Sequence, residues 1–89
     1  MALEYKKVEQ VVKSFANQRR IQVLEYIAGN PTVSVDQLAQ KFNTNFITIS
    51  DHIRKLYHAG LIDKTRQGKF VRHTVTKLGK DTLSFCKMI

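Results

Sequence analysis

Val35 to Val75, VDQLAQKFNTNFITISDHIRKLYHAGLIDKTRQGKFVRHTV, is the stretch whose reading decides the fold. Val35, Leu38, Ala39 and Phe42 share one face at helical spacing, and Ser34 just before them is a good N-cap. Asn43 then stands where the chain must turn sharply, and Asn tolerates the left-handed conformation better than most non-glycine residues. A second helix is predicted over about 45–58, with Ile49, His52, Ile53 and Leu56 inward and a stop at Gly60. Two strands follow, Leu61 to Arg66 and Phe70 to Val75, flanking a Gln67-Gly68-Lys69 turn with glycine where positive φ is expected. Helix, tight turn, helix and a hairpin with a basic tip make a shape that fits duplex DNA.

Working outward, a first helix is predicted over about residues 3–16, with Val8, Val11, Val12 and Phe15 in one stripe. Asn17 can cap a second helix that runs to about Ala28, with Ile21, Leu24, Ile27 and Ala28 inward. Gly29, Asn30 and Pro31 end it, Gly29 being suited to a left-handed stop. Thr76 can cap a last helix to about Met88, where Leu78, Phe85, Cys86 and Ile89 follow helical spacing and Leu83 broadens the stripe. The expected fold class is therefore mainly α with a small β-hairpin: a winged helix-turn-helix of about five helices plus a two-stranded wing. All of it forms one domain over residues 1–89, since 89 residues suffice for one modest core.

Composition narrows the classes of function. Hydrophobic residues make up 43%, as in a folded globular chain. No apolar run approaches the roughly 20 residues that span a membrane, and the N-terminal MALEYKKVEQ lacks a secretory apolar core. Cys86 is the only cysteine, so no intrachain disulfide forms and a reducing cytoplasm is the expected setting. The net charge is +8. Residues 1–45 hold six basic and four acidic side chains, whereas residues 46–89 hold nine and three. The excess begins with the candidate recognition helix, as for a surface that displaces counterions from phosphate polyanions.

Specific contacts can be assigned on this plan. With helix 45–58 in the major groove, Thr44, Asn45, Ile47, Thr48, Asp51 and Lys55 face bases and phosphates. Asn45 suits an adenine edge, and Thr48 or Ile47 a thymine methyl. Ser50 and Arg54 are better placed for phosphates. Asp51 has two readings, accepting from a cytosine amino group or orienting Lys55 at i+4. Phe46 fits either a contact or the packing of the turn. In the wing, Lys64, Arg66, Lys69 and Arg72 are the candidate contacts, with Arg66 and Lys69 beside the Gly68 turn aimed at a minor groove or its phosphates. A merely solubilising hairpin is the blander alternative.

His52 lies on an apolar helix face and reads as a half-buried packing residue bonded to a backbone group. Cys86 reads as a small apolar side chain in a helix seam. No catalytic triad, paired-carboxylate motif or glycine-rich phosphate loop is present, so an enzyme is not expected, and no cofactor is implied.

From about Arg19 to Val75 the chain resembles the ArsR-type winged-helix repressors and, more loosely, MarR-type regulators. The resemblance rests on Arg20-Ile21 with Leu24, Asp36-Gln37-Leu38-Ala39, Ile49-Ser50-Asp51-His52-Ile53, Leu56, Ala59-Gly60-Leu61-Ile62 and Arg66-Gln67-Gly68-Lys69. Thr76-Lys77-Leu78-Gly79 is similar to the segment that opens the last helix of MarR-like proteins. The likeness implies a small dimeric transcription repressor that releases its operator when an effector binds. It does not extend to the family's metal sites. The cysteine pair of the metal-sensing third helix is absent from Val33-Ser34-Val35-Asp36-Gln37-Leu38, and the last helix carries Asp81 without a following histidine.

Three functions follow as expectations. The first is a homodimeric, sequence-specific regulator of double-stranded DNA, with its first and last helices as the dimer seam and its effector unspecified. The others are a winged-helix module that grips another protein and a non-specific architectural DNA binder.

Overall fold

The computed structural model describes residues 2–89. Its elements run α1 (Tyr5–Phe15), α2 (Gln18–Gly29), α3 (Val35–Lys41), α4 (Phe46–His58), β1 (Ile62–Gln67), β2 (Phe70–Val75) and α5 (Lys77–Lys87). The caps expected from sequence at Asn17, Ser34 and Thr76 are made, and Asn45, expected only as a base contact, caps α4. Asn17 accepts from Arg20 N–H, Asn45 from Thr48 N–H and Thr76 from Gly79 N–H. Ser34 and Gln37 form a reciprocal capping box. Asn43 turns the chain between α3 and α4 at φ 50°, and Gly60 stops α4 at φ 83°.

The core is a wedge of α2, α3 and α4 closed by the start of the hairpin. Leu24, Ile27, Leu38, Ile49, Ile53, Leu56, Leu61 and Ile62 are buried together, each contributing on the order of 1.5–3 kcal/mol by leaving water. The inner face of α2 is Val23, Leu24 and Ile27; Ile21 is half-buried and Ala28 exposed, which corrects the expected register by part of a turn. Arg20 staples α1 to α2, its Nε donating to Ser14 O at 2.8 Å where α1 ends.

Three further expectations are corrected. Gly29 sits within the last turn of α2 without positive φ, and the left-handed residue is Thr32 at φ 69°. The reason lies in the next residues: the chain must swing Val33 alongside His73. Thr32 N–H donates to His73 O (2.9 Å) and His73 N–H to Val33 O (3.1 Å), adding a one-rung third strand to the hairpin. The wing loop is two residues long, because Gln67 pairs with Phe70, and Gly68 takes φ 60°. In α5 the inward residues are Gly79, Thr82 and Leu83, with Cys86 half-buried; Leu78, Phe85 and Ile89 are exposed. Gly79 dictates that rotation, since a Cβ there would collide with Leu61 O and Val75 Cγ1.

Candidate nucleic-acid interface

The first turn of α4 projects into solvent. Phe46 and Ile47 are 55% and 80% exposed, and Thr48 stands beside them. Helical spacing places Ile47, Thr48, Asp51 and Lys55 along one side, with Ser50 and Arg54 on its flank. Thr44 is half-buried and closes the turn, its N–H donating to Ala39 O. Asn45 is committed as the cap, its Oδ1 accepting from Thr48 N–H at 2.8 Å. Its NH₂ group is free, and two-point reading of adenine would have Oδ1 accept through its second lone pair while the first holds the cap.

Asp51 is engaged on both oxygens, by Arg54 at 2.5 Å and by Lys55 at 3.1 Å. Hydrogen bonds from Lys55 and then Arg54 hold its carboxyl below the usual aspartate value. The orienting reading of Asp51 is therefore the geometry observed, and it extends to Arg54. The three side chains together present one net positive charge. His52 is half-buried as expected, but its Nδ1 is shielded from water with no hydrogen-bond partner. Burial, then the Arg20 guanidinium, push its pKa down.

The wing stands beside α4, with Lys64 Nζ 4.4 Å from the centre of the Tyr57 ring. Strand alternation puts Lys64 and Arg66 on one face of the hairpin, while Arg72, opposite Thr65, lies on the other. There the Arg72 guanidinium lies over Phe70 and donates to Thr32 O at 3.4 Å. Lys69, at the tip, also lies against Phe70. None of the four wing cations pairs with a carboxylate among the described residues. The structure thus brings Ile47, Thr48, Asp51 and Lys55 together and sets Arg72 apart from Lys64 and Arg66.

Sequence reasoning missed His73. It is 1% exposed and its Nδ1 lies 2.9 Å from Val33 O. A signal for it existed: Val71, His73 and Val75 alternate along one strand face.

The family model described as HVO_A0114 matches residues 16–76. The chain belongs to the HVO_A0114 family. No curated protein matches its sequence. Among solved structures the fold is similar to HlyU from Vibrio cholerae N16961, with TM-score 0.82 and 24% identity over 97% of this chain and 94% of that one. It is also similar to the homodimeric winged helix-turn-helix DNA-binding domain of Mb0332 from Mycobacterium bovis, a possible ArsR-family regulator. There the TM-score is 0.86, with 23% identity over 99% and 88% of the two chains. A third similar structure is FabT from Streptococcus pneumoniae in complex with DNA, with TM-score 0.72 and 19% identity over 78% of this chain and 50% of that one. The HVO_A0114-family chain therefore has the winged helix-turn-helix fold, as ArsR-type and MarR-type regulators do. No helix among the described residues is long and apolar enough to cross a membrane.

Proposed function

We propose that this HVO_A0114-family chain is a sequence-specific regulator of transcription that binds double-stranded DNA as a homodimer and represses. In this reading, α4 occupies the major groove and wing residues 64–72 rest on the flanking groove or its phosphates. The observation that carries it is the pairing of two neighbouring features. One is an open first turn on α4 with both apolar and hydrogen-bonding side chains. The other is a wing whose cations have no carboxylate partner among the described residues. Ile47 and Thr48 meet thymine methyls, and Asn45 offers its free NH₂ to an acceptor edge. Thr44, Ser50, Arg54, Lys55, Lys64, Arg66, Lys69 and Arg72 supply phosphate contacts that set the register.

The homodimer is supported by two apolar faces that the core leaves uncovered. Val8 and Val12 on α1, and Leu78, Phe85 and Met88 on α5, are all exposed. The two faces meet where Leu3, Val8, Val11, Val12 and Leu78 line one hollow of about 560 Å³. Contiguous apolar surface of this kind marks an interface, and two-fold dimers are the commonest use of one.

The test is binding of the purified chain to a duplex from upstream of its own gene and to a scrambled duplex, over a salt series. Tight binding to the native duplex alone is expected. Arg66→Ala with Lys69→Ala should weaken binding to both duplexes and flatten the log–log salt slope by about four units, two cations being lost from each protomer of the dimer. An unchanged slope removes the wing from the contact set. Equal, salt-sensitive binding to both duplexes favours an architectural role or an operator elsewhere. No binding at low salt leaves a protein-interaction module, for which exposed Phe46 and Ile47 are the anchors.

A further inference from the structure

The outer faces of α3 and of the wing enclose an open cleft of about 730 Å³. Lys41 on α3 and Arg72 on β2 stand in its walls, with Tyr26 and the side-chain amides of Gln37, Gln40 and Gln67 around them, and no carboxylate lines it. Neither cation is paired with a carboxylate among the described residues. Lys41 Nζ lies 5.5 Å from the centre of the Tyr26 ring, and Arg72 spends one long contact on Thr32 O, so most of its donors are free. Gln37 uses its Oε1 on Ser34 N–H, which leaves its NH₂ group as a donor.

The cleft also holds one of the two non-glycine residues with positive φ among the described residues. Thr32, a β-branched residue at φ 69°, lies in it. Such residues rarely enter the left-handed region, and the pairing of Val33 with His73 imposes it here. Here its carbonyl is the acceptor that holds the Arg72 guanidinium at the cleft.

We propose that this cleft binds a phosphate group, with Lys41 and Arg72 as opposed cations and the glutamine amides as neutral donors. The space is several times larger than one phosphate and falls in the range of ligand clefts, so the phosphate is carried by a larger molecule. That molecule is either the backbone of a DNA duplex or a free phosphorylated small molecule. Because Lys41 belongs to the helical body and Arg72 to the wing, a phosphate between them ties the wing to α3. The DNA-backbone source rests on the proposed DNA reading, in which Arg72 already contacts phosphate; the free-ligand source does not.

The experiment follows the amide signals of the nitrogen-15-labelled full chain during titration with inorganic pyrophosphate and, separately, with a duplex of about 20 base pairs, two helical turns. Pyrophosphate is expected to give saturating shifts at Thr32, Gln37, Gln40 and Lys41. Its affinity should fall by about tenfold in Lys41→Gln and in Arg72→Gln, each of which removes a charge-assisted contact. Lys80→Gln, at an exposed cation outside the cleft, should leave it unchanged. The spectrum of each variant reports at once whether it is folded. Duplex shifts at the same amides that vanish in Lys41→Gln identify the DNA backbone as the source. Duplex binding that leaves pyrophosphate in place identifies a free ligand. Pyrophosphate saturation with no duplex binding keeps the cleft and overturns the DNA reading. Unsaturated shifts spread over all basic residues, or affinity indifferent to Lys41 and Arg72, overturn the proposal.

Discussion

Lowering the pH from about 7.5 to about 5 is expected to weaken this protein through His73, and His73→Leu is expected to remove the His73 share of that weakening. The ring is almost wholly buried, 2.9 Å from Val33 O. A carbonyl only accepts, so Nδ1 carries the proton of the neutral ring. Burial pushes the His73 pKa below 6.5, the bond to Val33 opposes the shift, and Lys64 across the ladder adds to it. The unfolded chain takes up the proton near pH 6.5, whereas the folded chain does so only at lower pH. Stability is therefore complete above about pH 6.5, falls as the pH drops toward the folded pKa and then levels off. The slope has a ceiling of about 1.4 kcal/mol per pH unit for one such group. His52 contributes in the same direction, so the wild-type curve alone does not isolate His73. At neutral pH the Leu variant loses one hydrogen bond, a net cost of about 1 kcal/mol, since Val33 O keeps the backbone N–H of residue 73 at 3.1 Å. Urea unfolding followed by circular dichroism, at one fixed protein concentration because association shifts stability, gives the two curves. They should converge as the pH falls from about 7.5 to about 5. Parallel curves would refute the assignment of a buried, neutral His73.

Two other substitutions probe how the ends of the chain are used. Gly79→Ala should destabilise by about 1–3 kcal/mol through overpacking against Leu61 O and Val75 Cγ1, although alanine is the better helix former by about 1 kcal/mol; a variant as stable as the parent in urea would mean that α5 does not rest on Leu61. Leu78→Glu with Phe85→Glu changes only exposed positions, so helicity should persist while sedimentation shows a monomer. A persistent dimer would move the seam elsewhere.

The elements legible in sequence were those with local causes. Asn17, Ser34 and Thr76 each bond a backbone N–H three residues on, so a cap needs no knowledge of the rest of the fold; Asn45 caps α4 by the same local bond but reads in sequence only as a base contact. Asn43, Gly60 and Gly68 are likewise decided by conformational cost at single positions. The rotation of α5 was not legible, because its apolar residues offer two stripes and the choice is made by a contact 18 positions away, between Gly79 and Leu61. Thr32 was missed for the same reason: its conformation is imposed by pairing of Val33 with His73, 40 positions on. In the candidate interface, residue type announced the cations but not their grouping. Only the register Lys64↔His73 and Thr65↔Arg72 separates Lys64 and Arg66 from Arg72. The double engagement of Asp51 followed from its i+3 and i+4 neighbours and was half visible.

One joint connects the proposed seam to the proposed DNA face. Thr76 Oγ1 donates to Gly60 O at 2.6 Å and accepts from Gly79 N–H at 3.1 Å, and Thr76 N–H donates to Leu61 O. Leu61 N–H in turn donates to Leu56 O on α4. The end of α4, both ends of the hairpin and the first turn of α5 thus meet around one hydroxyl. A helix that shifts at the seam must carry this joint with it, since bonded backbone groups and a glycine contact have no slack to absorb the motion. Thr76→Val keeps the β-branched shape and removes both hydroxyl bonds, whereas Thr76→Ser keeps them. The Val variant should lose about 1 kcal/mol from the missing cap. Its wing amides should also exchange with solvent faster than those of the Ser variant, because the base of the hairpin is then held from one side only. If exchange rises in α5 while the wing stays as protected as in the parent, the Val33–His73 pairing alone holds the wing, and a signal from α5 has no path to it through Thr76.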